Sequence, residues 1–175
     1  MEEILEVYKL RSDVYSSLNY NKEFPDLIDG LNFDTYDENA AILYTKNNNQ
    51  IIGTCRLIFD SNKKFPIEEK TSICNLRNTH KKILEVSRLI IKQEQNGLNL
   101  DFKNLTKGAY FILLENKMDL AVSVIKNEHF KLYSKFGGFE IEQEVKGYGE
   151  LNSDFIITSW KYKEISNFFR KAFLS

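Results

Sequence analysis

The chain of 175 residues is long enough to build one domain with its own hydrophobic core, and we predict a single domain over residues 1–175. Hydrophobic residues make up 42% of the chain and charged residues 28%, a composition that excludes a disordered protein. The formal net charge of -1 gives no reason to expect a nucleic-acid partner.

The first part of the chain predicts a helix followed by a hairpin. Apolar residues recur at three- and four-residue spacing over about the first seventeen residues, which is typical of an amphipathic helix. Residues 40–45 and 50–59 have the pattern of two strands, and the asparagine run at 47–49 between them indicates a tight turn. Residues 60–80 are polar and contain Pro66, so we expect a connection with room for one short helix.

The remaining elements surround one apolar strand. Residues 83–91 form an apolar run with β-branched residues, which predicts a strand at the centre of a sheet. A helix over 105–118 has Asn104 as its expected N-cap, and a short helix over 128–135 is closed by Gly137 and Gly138. Further strands are expected at 120–125, 139–145 and 155–162, and a last helix at 163–174. This order indicates one α/β unit.

Cysteines and the N-terminal segment bear on location. Cys55 and Cys74 are the only cysteines and form no CxxC pair, so free thiols in a reducing compartment are favoured and no metal site is expected. The segment MEEILEVYKLRSDVY starts with acidic residues and contains no apolar run of secretory or membrane-spanning length. We therefore expect a cytoplasmic protein with no integral membrane association.

Charged residues interrupt two of the predicted strands. Glu85 and Arg88 lie within ILEVSRLII, and Arg56 lies within IIGTCRLIF. An unpaired charge in an apolar strand would cost several kcal/mol, so each must find a partner. Strand alternation puts Glu85 and Ser87 on one face and Arg88 on the other, which favours pairing with neighbouring elements.

Two aspartates are the expected partners. Asp34 and Asp37 lie just before the first predicted strand. The cations that these carboxylates can pair with are Arg11, Arg56 and Arg88. We expect all five groups and Glu85 to form one network. Residue types alone leave open whether this network is a functional site or a purely structural ion-pair cluster.

Four blocks of sequence resemble the ordered signature of a known enzyme group. They are Arg11 with Tyr15, GLNFDTYD at 30–37, IIGTCRL at 51–57 and EVSR at 85–88. The blocks resemble those of autoinducer synthases, which make acyl-homoserine lactones, and are similar to those of bacterial long-chain N-acyl amino acid synthases. NEHFKLYSKFGGFE at 127–140 resembles the helix and following strand of GNAT enzymes. The resemblance implies the α/β GNAT acyltransferase fold, with a central mixed, mostly antiparallel sheet whose splayed middle strands are flanked by helices.

The resemblance also implies where substrates bind. In GNAT relatives, pantetheine lies between the strands that match residues 84–91 and 120–125. The residues expected along it are Leu89, Ile90, Ile91 and Val124, with amides near Leu89 and Ile90 facing the thioester oxygen. The expected acceptor-binding residues are Arg11, Tyr15, Tyr20, Asp34, Asp37, Arg56 and Arg88. Tyr20 stands where autoinducer synthases are expected to carry a tryptophan, which favours a plain small-molecule amine over S-adenosylmethionine.

The expected chemistry is direct transfer from a thioester to an amine. It needs a free amine, a polarised carbonyl and a proton for the leaving thiol. Burial raises the pKa of a carboxylate, so Glu85 is the candidate base. Ser87 either hydrogen-bonds the acceptor or satisfies the backbone, and Tyr133 is a candidate proton donor to the thiol. His129 is more typical of a surface or core residue, although its position leaves an acid role open. The sequence contains no nucleophile elbow, which disfavours a covalent intermediate.

The segment after residue 91 bears on the donor. Acetyltransferases bind the coenzyme A pyrophosphate on a glycine-rich loop at a helix N-terminus, whereas KQEQNGLNLDFKN has one glycine and two acidic residues. This favours an acyl carrier protein, whose pantetheine carries one phosphodiester, with acyl-CoA as the other donor and no permanently bound cofactor. Seven lysines are either a docking patch for this acidic partner or a solvated surface: Lys63, Lys64, Lys81, Lys82, Lys92, Lys103 and Lys107.

Phe155 and Phe168 are candidates for an acyl pocket or for core packing.

Three other functions remain open. An acyl-homoserine lactone synthase shares the four blocks but needs a pocket for S-adenosylmethionine. A coenzyme A-dependent N-acetyltransferase is disfavoured by the segment after residue 91. A non-catalytic GNAT-like module would keep the charge network as scaffold only. The acceptor, the acyl chain length and the oligomeric state are not predicted.

Overall fold

The computed structural model describes residues 2–61, 63–92 and 99–175, which form a six-stranded sheet flanked by helices. The strands are β1 (Ala40–Asn47), β2 (Gln50–Phe59), β3 (Ile83–Ile91), β4 (Leu120–Lys126), β5 (Phe139–Tyr148) and β6 (Leu151–Trp160). The helices are α1 (Glu2–Ser17), α2 (Cys74–Thr79), α3 (Leu100–Glu115), α4 (Phe130–Tyr133) and α5 (Asn167–Phe169).

The sheet has the order β1-β2-β3-β4-β6-β5, and all neighbours are antiparallel except β3 and β4. A parallel pair needs a crossover, which α3 supplies on one face. The main core lies on that face between the sheet, α3 and α5, and includes Leu105, Leu113, Phe136, Trp160 and Phe169. On the opposite face α1 packs Val7 and Leu10 against Ile51 and Ile90. The mixed, mostly antiparallel sheet expected from the sequence is confirmed.

The predicted hairpin of β1 and β2 is also confirmed. Its turn places Asn48 at φ 47° and Asn49 at φ 64°. Asparagine tolerates this left-handed region, and two successive residues in it make a tight turn that matches the twist of the flanking strands.

The two middle strands separate after a short paired stretch. Register joins Ile83 with Leu120, Leu84 with Ala121 and Glu85 with Val122, and the pairing ends there. Beyond this point β3 and β4 leave a gap between residues 86–91 and residues 123–126. The splayed middle strands predicted from the resemblance are therefore confirmed.

A bulge interrupts β3 at the gap. The register joins Ser87 with Arg56 and Ile90 with Thr54. Two residues of β3, Arg88 and Leu89, therefore oppose Cys55 alone. Arg88 adopts φ 52°, a conformation that residues with a side chain seldom take.

The bulge corrects one sequence expectation. Simple alternation placed Arg88 on the face opposite Glu85 and Ser87, and this was wrong. The extra residue keeps Arg88 on the α1 face, where it bonds Asp34, and returns Leu89 to the α3 core. Alternation holds only while each residue of a strand opposes one residue of its neighbour.

Several helix boundaries differ from the predicted ones. Helix α3 starts at Leu100 and its N-cap is Asn99, whose side chain accepts from the Phe102 amide at 3.0 Å, so the prediction of Asn104 as N-cap was wrong. The last helix is reduced to α5 and a π-helical turn at Arg170–Leu174. The first residues of the predicted helix, 163–166, adopt another conformation. The backbone amides of Lys161, just before them, and of Ser166 donate hydrogen bonds to the carbonyls of Gly138 and Phe136.

The connection over residues 60–80 contains two short helical pieces, a 3₁₀ turn at Pro66–Glu69 and α2, where one was expected. Residues 93–98, on which the donor prediction partly depends, lie outside the described residues. Within the described ranges, no helix combines the length and the apolar character needed to cross a bilayer.

Candidate active site

A cleft of about 810 Å³ lies at the gap between β3 and β4 and is lined by residues from both faces of the sheet. Its part on the α1 face, here called the polar chamber, is lined by Tyr15, Phe24, Asp34, Tyr36, Arg56, Glu85, Ser87 and Arg88. Its part on the α3 face, here called the apolar chamber, is lined by Cys55, Leu89, Leu105, Ala109, Ala121, Tyr133, Phe136 and Trp160. A ligand in the gap would therefore reach a charged environment on one side and a hydrophobic one on the other.

Three arginines and two aspartates from separate elements form an ion-pair network at the polar chamber. Arg11 pairs with Asp37 at 2.7 Å, and Arg56 pairs with Asp37 at 3.1 Å and with Asp34 at 2.6 Å. Arg88 completes the network by pairing with Asp34 at 3.0 Å. The pairing expected between these aspartates and arginines is confirmed.

The spacing of the two aspartates explains how a short segment holds three cations. The Asp34 amide donates to Asp37 Oδ2 at 2.9 Å, and the Tyr36 amide donates to Asp34 Oδ1 at 2.9 Å, so both carboxylates are fixed by their own turn. Burial alone would raise the pKa of Asp34, but Arg56 and Arg88 outweigh it and hold that pKa below its ordinary value. With both aspartates paired, the network keeps an excess of positive charge.

Not every member of the network lines the cleft. Arg11 is fully buried and, with Asp37, lies beneath the polar chamber, so these two residues brace the site and are not placed to contact a ligand. Asp34, Arg56 and Arg88 do line the chamber, as do Tyr15 and Tyr20.

The guanidinium group of Arg88 is covered by aromatic rings. Its Cζ lies 4.4 Å from the centre of the Phe24 ring and 5.1 Å from that of the Tyr15 ring. The Arg88 side chain is 10% exposed. Its buried Nη1 has no hydrogen-bond partner among residues 2–61, 63–92 and 99–175. A buried donor without a partner is costly, so this nitrogen is suited to bind an oxygen that a ligand supplies.

Glu85 is the titratable group of the polar chamber. It is 4% exposed, and its Oε2 accepts from the Ile67 amide at 3.1 Å, within the 3₁₀ turn Pro66–Glu69. Burial raises the pKa of Glu85 to about 7, against the opposing effects of the Ile67 amide and Arg56. It makes no ion pair with an arginine in the described part of the chain, so the expected six-membered network has five directly bonded members. A carboxyl group with a pKa near neutrality can both accept and return a proton.

Ser87 lies beside Glu85 on the same face. Its Oγ accepts from Arg56 Nε at 3.1 Å, a contact that neither of its two expected roles included. Because a hydroxyl group both accepts and donates, its hydrogen can still be offered to a ligand in the chamber.

Backbone groups line the gap itself. The Lys92 amide donates to the Ile52 carbonyl of β2 at 2.7 Å. This bond and the pairing of Ile90 with Thr54 turn the peptide groups of Ile90 toward β2 and those of Ile91 toward the gap. The Ile90 amide therefore faces the neighbouring strand, whereas the expected role of the Leu89 amide, which lies within the bulge, stays a prediction. The side chains of Leu89, Ile90, Ile91 and Val124 all line the cleft.

In the apolar chamber, Tyr133 and Cys55 are the groups with reactive hydrogens. The Tyr133 ring lies 6.0, 5.5 and 5.4 Å from the rings of Phe102, Phe136 and Phe139. Burial raises the pKa of Tyr133, so its hydroxyl keeps its proton at neutral pH. Burial also raises the pKa of the Cys55 thiol to about 12, which leaves it protonated and unsuited to nucleophilic attack.

The seven lysines predicted as one patch lie at two ends of the sheet. The backbone amides of Lys81 and Lys82 bind Asp119 where β3 begins, and Lys63 and Lys64 lie at that same end, just after β2. The other three are Lys92, Lys103 and Lys107, which lie where β3 ends and α3 begins. The nine residues of β3 separate the two ends by about 30 Å, so the seven lysines do not together form one docking patch, the first of the two alternatives.

Other predicted residues differ in their placement. Phe155 lines the cleft, whereas Phe168 is 44% exposed and does not line it. The His129 side chain is 58% exposed beside Glu128, as expected for a surface residue, although it borders the cleft. Sequence reasoning missed Phe24 and Ala109. No motif marks Phe24, which lies in the irregular stretch after α1, and Ala109 was expected only as part of an amphipathic helix.

Parallel strands that separate, a bulge at the separation and a buried carboxyl group beside the cleft agree with the GNAT acyltransferase fold that the four sequence blocks imply. The chain belongs to the family of the N-acyl amino acid synthase FeeM, which it matches over residues 6–159. The protein is therefore an acyltransferase that joins an acyl group to an amine. The family resemblance drawn from the four sequence blocks is confirmed. No curated protein sequence matches the chain significantly.

Solved structures share this fold at low sequence identity. FeeM, an N-acyl amino acid synthase from uncultured soil microbes, is 18% identical with a TM-score of 0.70, over 88% of this chain and 90% of its own. The acyl-homoserine lactone synthase LasI is 19% identical with a TM-score of 0.66, over 95% of this chain and 91% of its own. The CoA-dependent acyl-homoserine lactone synthase BjaI, solved with SAM and isopentyl-CoA, is 17% identical with a TM-score of 0.69, over 95% of this chain and 78% of its own. These likenesses establish the fold, and the substrates must be inferred from the site.

Proposed function

We propose that the protein transfers an acyl chain from a pantetheine thioester to the amine of an α-amino acid. The carrying observation is the buried Nη1 of Arg88, which has no partner in the described residues and belongs to a network with excess positive charge. A free amino acid supplies a carboxylate for this guanidinium and an ammonium group for Glu85. An amine without a carboxylate would leave Nη1 of Arg88 without a partner, which favours the amino acid as acceptor.

The side chains of the polar chamber account for the first half of the reaction. Glu85 takes a proton from the ammonium group, and the amine then attacks the thioester carbon to form the C–N bond. The Leu89 amide donates to the carbonyl oxygen as it gains negative charge. Arg88 and Ser87 hold the acceptor so that its nitrogen faces the thioester.

The second half of the reaction breaks the C–S bond. The nitrogen loses a second proton as the tetrahedral intermediate collapses, the departing thiolate gains one from the Tyr133 hydroxyl, and the proton from the nitrogen passes through solvent to restore that hydroxyl. Tyr133 is protonated at neutral pH because burial raises its pKa. The products are an N-acyl amino acid and a free pantetheine thiol, and the net reaction releases the proton first taken by Glu85.

The acyl chain is assigned to the apolar chamber. Each methylene group removed from water there contributes about 0.8 kcal/mol, which favours a longer chain over an acetyl group. An acyl carrier protein is the donor best supported, because residues 92–104 offer one glycine for a diphosphate and three lysines lie where β3 ends and α3 begins. We place this chemistry in the cytoplasm, where acyl carrier thioesters are made.

A donor and acceptor screen tests the proposal. The protein is incubated with acyl carrier protein or CoA bearing chains of different length, together with single amino acids, matched amines without a carboxylate, or S-adenosylmethionine. We expect intact-mass and product mass spectrometry to detect N-acyl amino acids from the longer carrier thioesters. Acylation of carboxylate-free amines at equal rates would contradict the role of Arg88. Formation of a homoserine lactone would replace the proposal with the synthase alternative, and acetyl transfer from CoA alone would replace the donor.

A further inference from the structure

Residues 18–31, here called the strap, cover the polar chamber between α1 and β1. Tyr20 and Phe24 of the strap line the cleft and pack against the β5–β6 hairpin in an apolar cluster. One side of the strap is anchored to the α1 side of the molecule: Ser12 Oγ donates to Asp26 at 2.6 Å, and Asn32 Nδ2 donates to the Phe24 carbonyl at 2.8 Å. The strap is therefore fixed at α1 and reaches across to the hairpin.

Glu23 makes the polar contacts at the far side of the strap. Its side chain is 4% exposed, and its carboxylate pairs with Lys70 Nζ at 3.0 Å and accepts from the Glu150 amide at 2.7 Å. Gly149 makes room for this contact, since a Cβ at that position would overlap the Glu23 carboxylate. One carboxylate thus joins the strap to the turn after Pro66–Glu69 and to the tip of the hairpin.

These contacts bear on both reactive sides of the polar chamber. Phe24, the next residue along the strap, covers the Arg88 guanidinium. Lys70 directly follows the turn in which the Ile67 amide holds Glu85. With the strap in this position Phe24 lies over the Arg88 guanidinium and Nη1 is buried, so a movement of Phe24 would give an acceptor carboxylate access to that nitrogen.

We propose that Glu23 is a positioning residue that latches the strap over the polar chamber, opens to admit the acceptor and closes again before acyl transfer. This inference rests on the function proposed above. A closed strap keeps water from the thioester, so the latch favours attack by the amine over hydrolysis.

Hydrogen exchange tests the latch without any turnover. In Gly149→Ala the new Cβ displaces the Glu23 carboxylate, whereas Gly147→Ala imposes the same positive-φ strain in the same hairpin and leaves Glu23 in place. We expect amides of the strap and of residue 150 to exchange about tenfold faster in Gly149→Ala than in Gly147→Ala, with α3 unchanged in both. Equal exchange of the strap in the two variants would overturn the proposal.

Product partition supplies the second test. Glu23→Ala removes both contacts, whereas Glu23→Gln can still accept from the Glu150 amide. We expect the ratio of hydrolysed thioester to N-acyl product to rise about tenfold in Glu23→Ala and less in Glu23→Gln, with the donor KM unchanged. Glu3→Gln, which weakens an exposed ion pair with Lys46, is the matched control and should leave the ratio unchanged. A ratio unaltered in Glu23→Ala overturns the latch. If the wild-type protein acylates no amine at all, the proposed function fails while the exchange experiment still decides the latch.

Discussion

Replacement of Glu85 by glutamine should strongly slow amide formation and at the same time stabilise the protein at alkaline pH. Glutamine is close in shape to a protonated glutamic acid, and its amide oxygen can still accept from the Ile67 amide. It cannot take a proton from the acceptor, so turnover should fall by about 10²-fold or more. The change in stability has the opposite sign because ionisation of a buried carboxyl group opposes folding.

The magnitude follows from the pKa of Glu85, about 7 in the folded chain against an ordinary 4.5. Each pKa unit corresponds to about 1.4 kcal/mol, so at pH 8 the wild-type free energy of unfolding is reduced by about 3 kcal/mol. Because the folded pKa lies above the unfolded one, this loss is small below pH 4.5, grows as the pH rises from 4.5 to 7 and is nearly complete above 7. At pH 5 the loss is only about 1 kcal/mol.

Thermal unfolding at the two pH values measures this difference. We expect Glu85→Gln to unfold about 10 °C above wild type at pH 8, and only about 3 °C above it at pH 5. Glu144→Gln, an exposed position on β5, is the control and should show no such pH dependence. A difference that does not grow between the two pH values would refute the argument that burial keeps Glu85 protonated. Full turnover in a folded Glu85→Gln would refute its role as the base.

Three further variants test the chambers. Arg88→Met should raise the KM for amino acids by about tenfold to 100-fold and leave the donor KM unchanged, because it removes a charge-assisted contact, and steady-state kinetics with each substrate varied in turn would show whether the loss is confined to the acceptor. Ala109→Phe fills the apolar chamber and should shift the products toward shorter acyl chains in a mixed-donor assay, so an unchanged product distribution would place the chain elsewhere. Tyr133→Phe should lower kcat by about tenfold or more with an alkyl thioester and much less with an aryl thioester, whose thiolate leaves without a proton. Equal losses for both thioesters would assign Tyr133 to packing alone.

The parts of the fold predicted from sequence are those that local pattern determines. Alternation and turn residues located the β1–β2 hairpin, and the apolar run located β3, because each signal lies within a few residues of the element that it specifies. The N-cap of α3 was misplaced because the chain has two asparagines five residues apart. Asn99 caps the helix, and Asn104 lies within its first turns. The last helix was overestimated because its periodicity does not reveal that residues 161–166 bond to the glycine turn before β5.

The site was predicted through its charges and missed where it depends on packing. Arg56 and Glu85 stood out because a charge within an apolar strand requires a partner, and the DTYD segment offered the carboxylates. Phe24 could not be found in this way, since an aromatic residue in a loop reveals nothing about the cation that it covers. The Glu23 contact was equally hidden, because it joins residues that are 47 and 127 positions apart in the chain.

The bulge at Arg88 connects the charge network to the gap, and this connection could not be derived from composition. A regular β3 would direct Arg88 into the α3 core, away from Asp34, and would leave a buried guanidinium without a carboxylate at a cost of several kcal/mol. The extra residue returns Arg88 to the network and returns the side chain of Leu89 to the α3 face, where it lines the apolar chamber. One local distortion therefore places a cation on one face of the gap and an apolar side chain on the other. The residue with the left-handed backbone is thus also the one bound to Asp34, so the bulge is the point at which the charge network meets the gap.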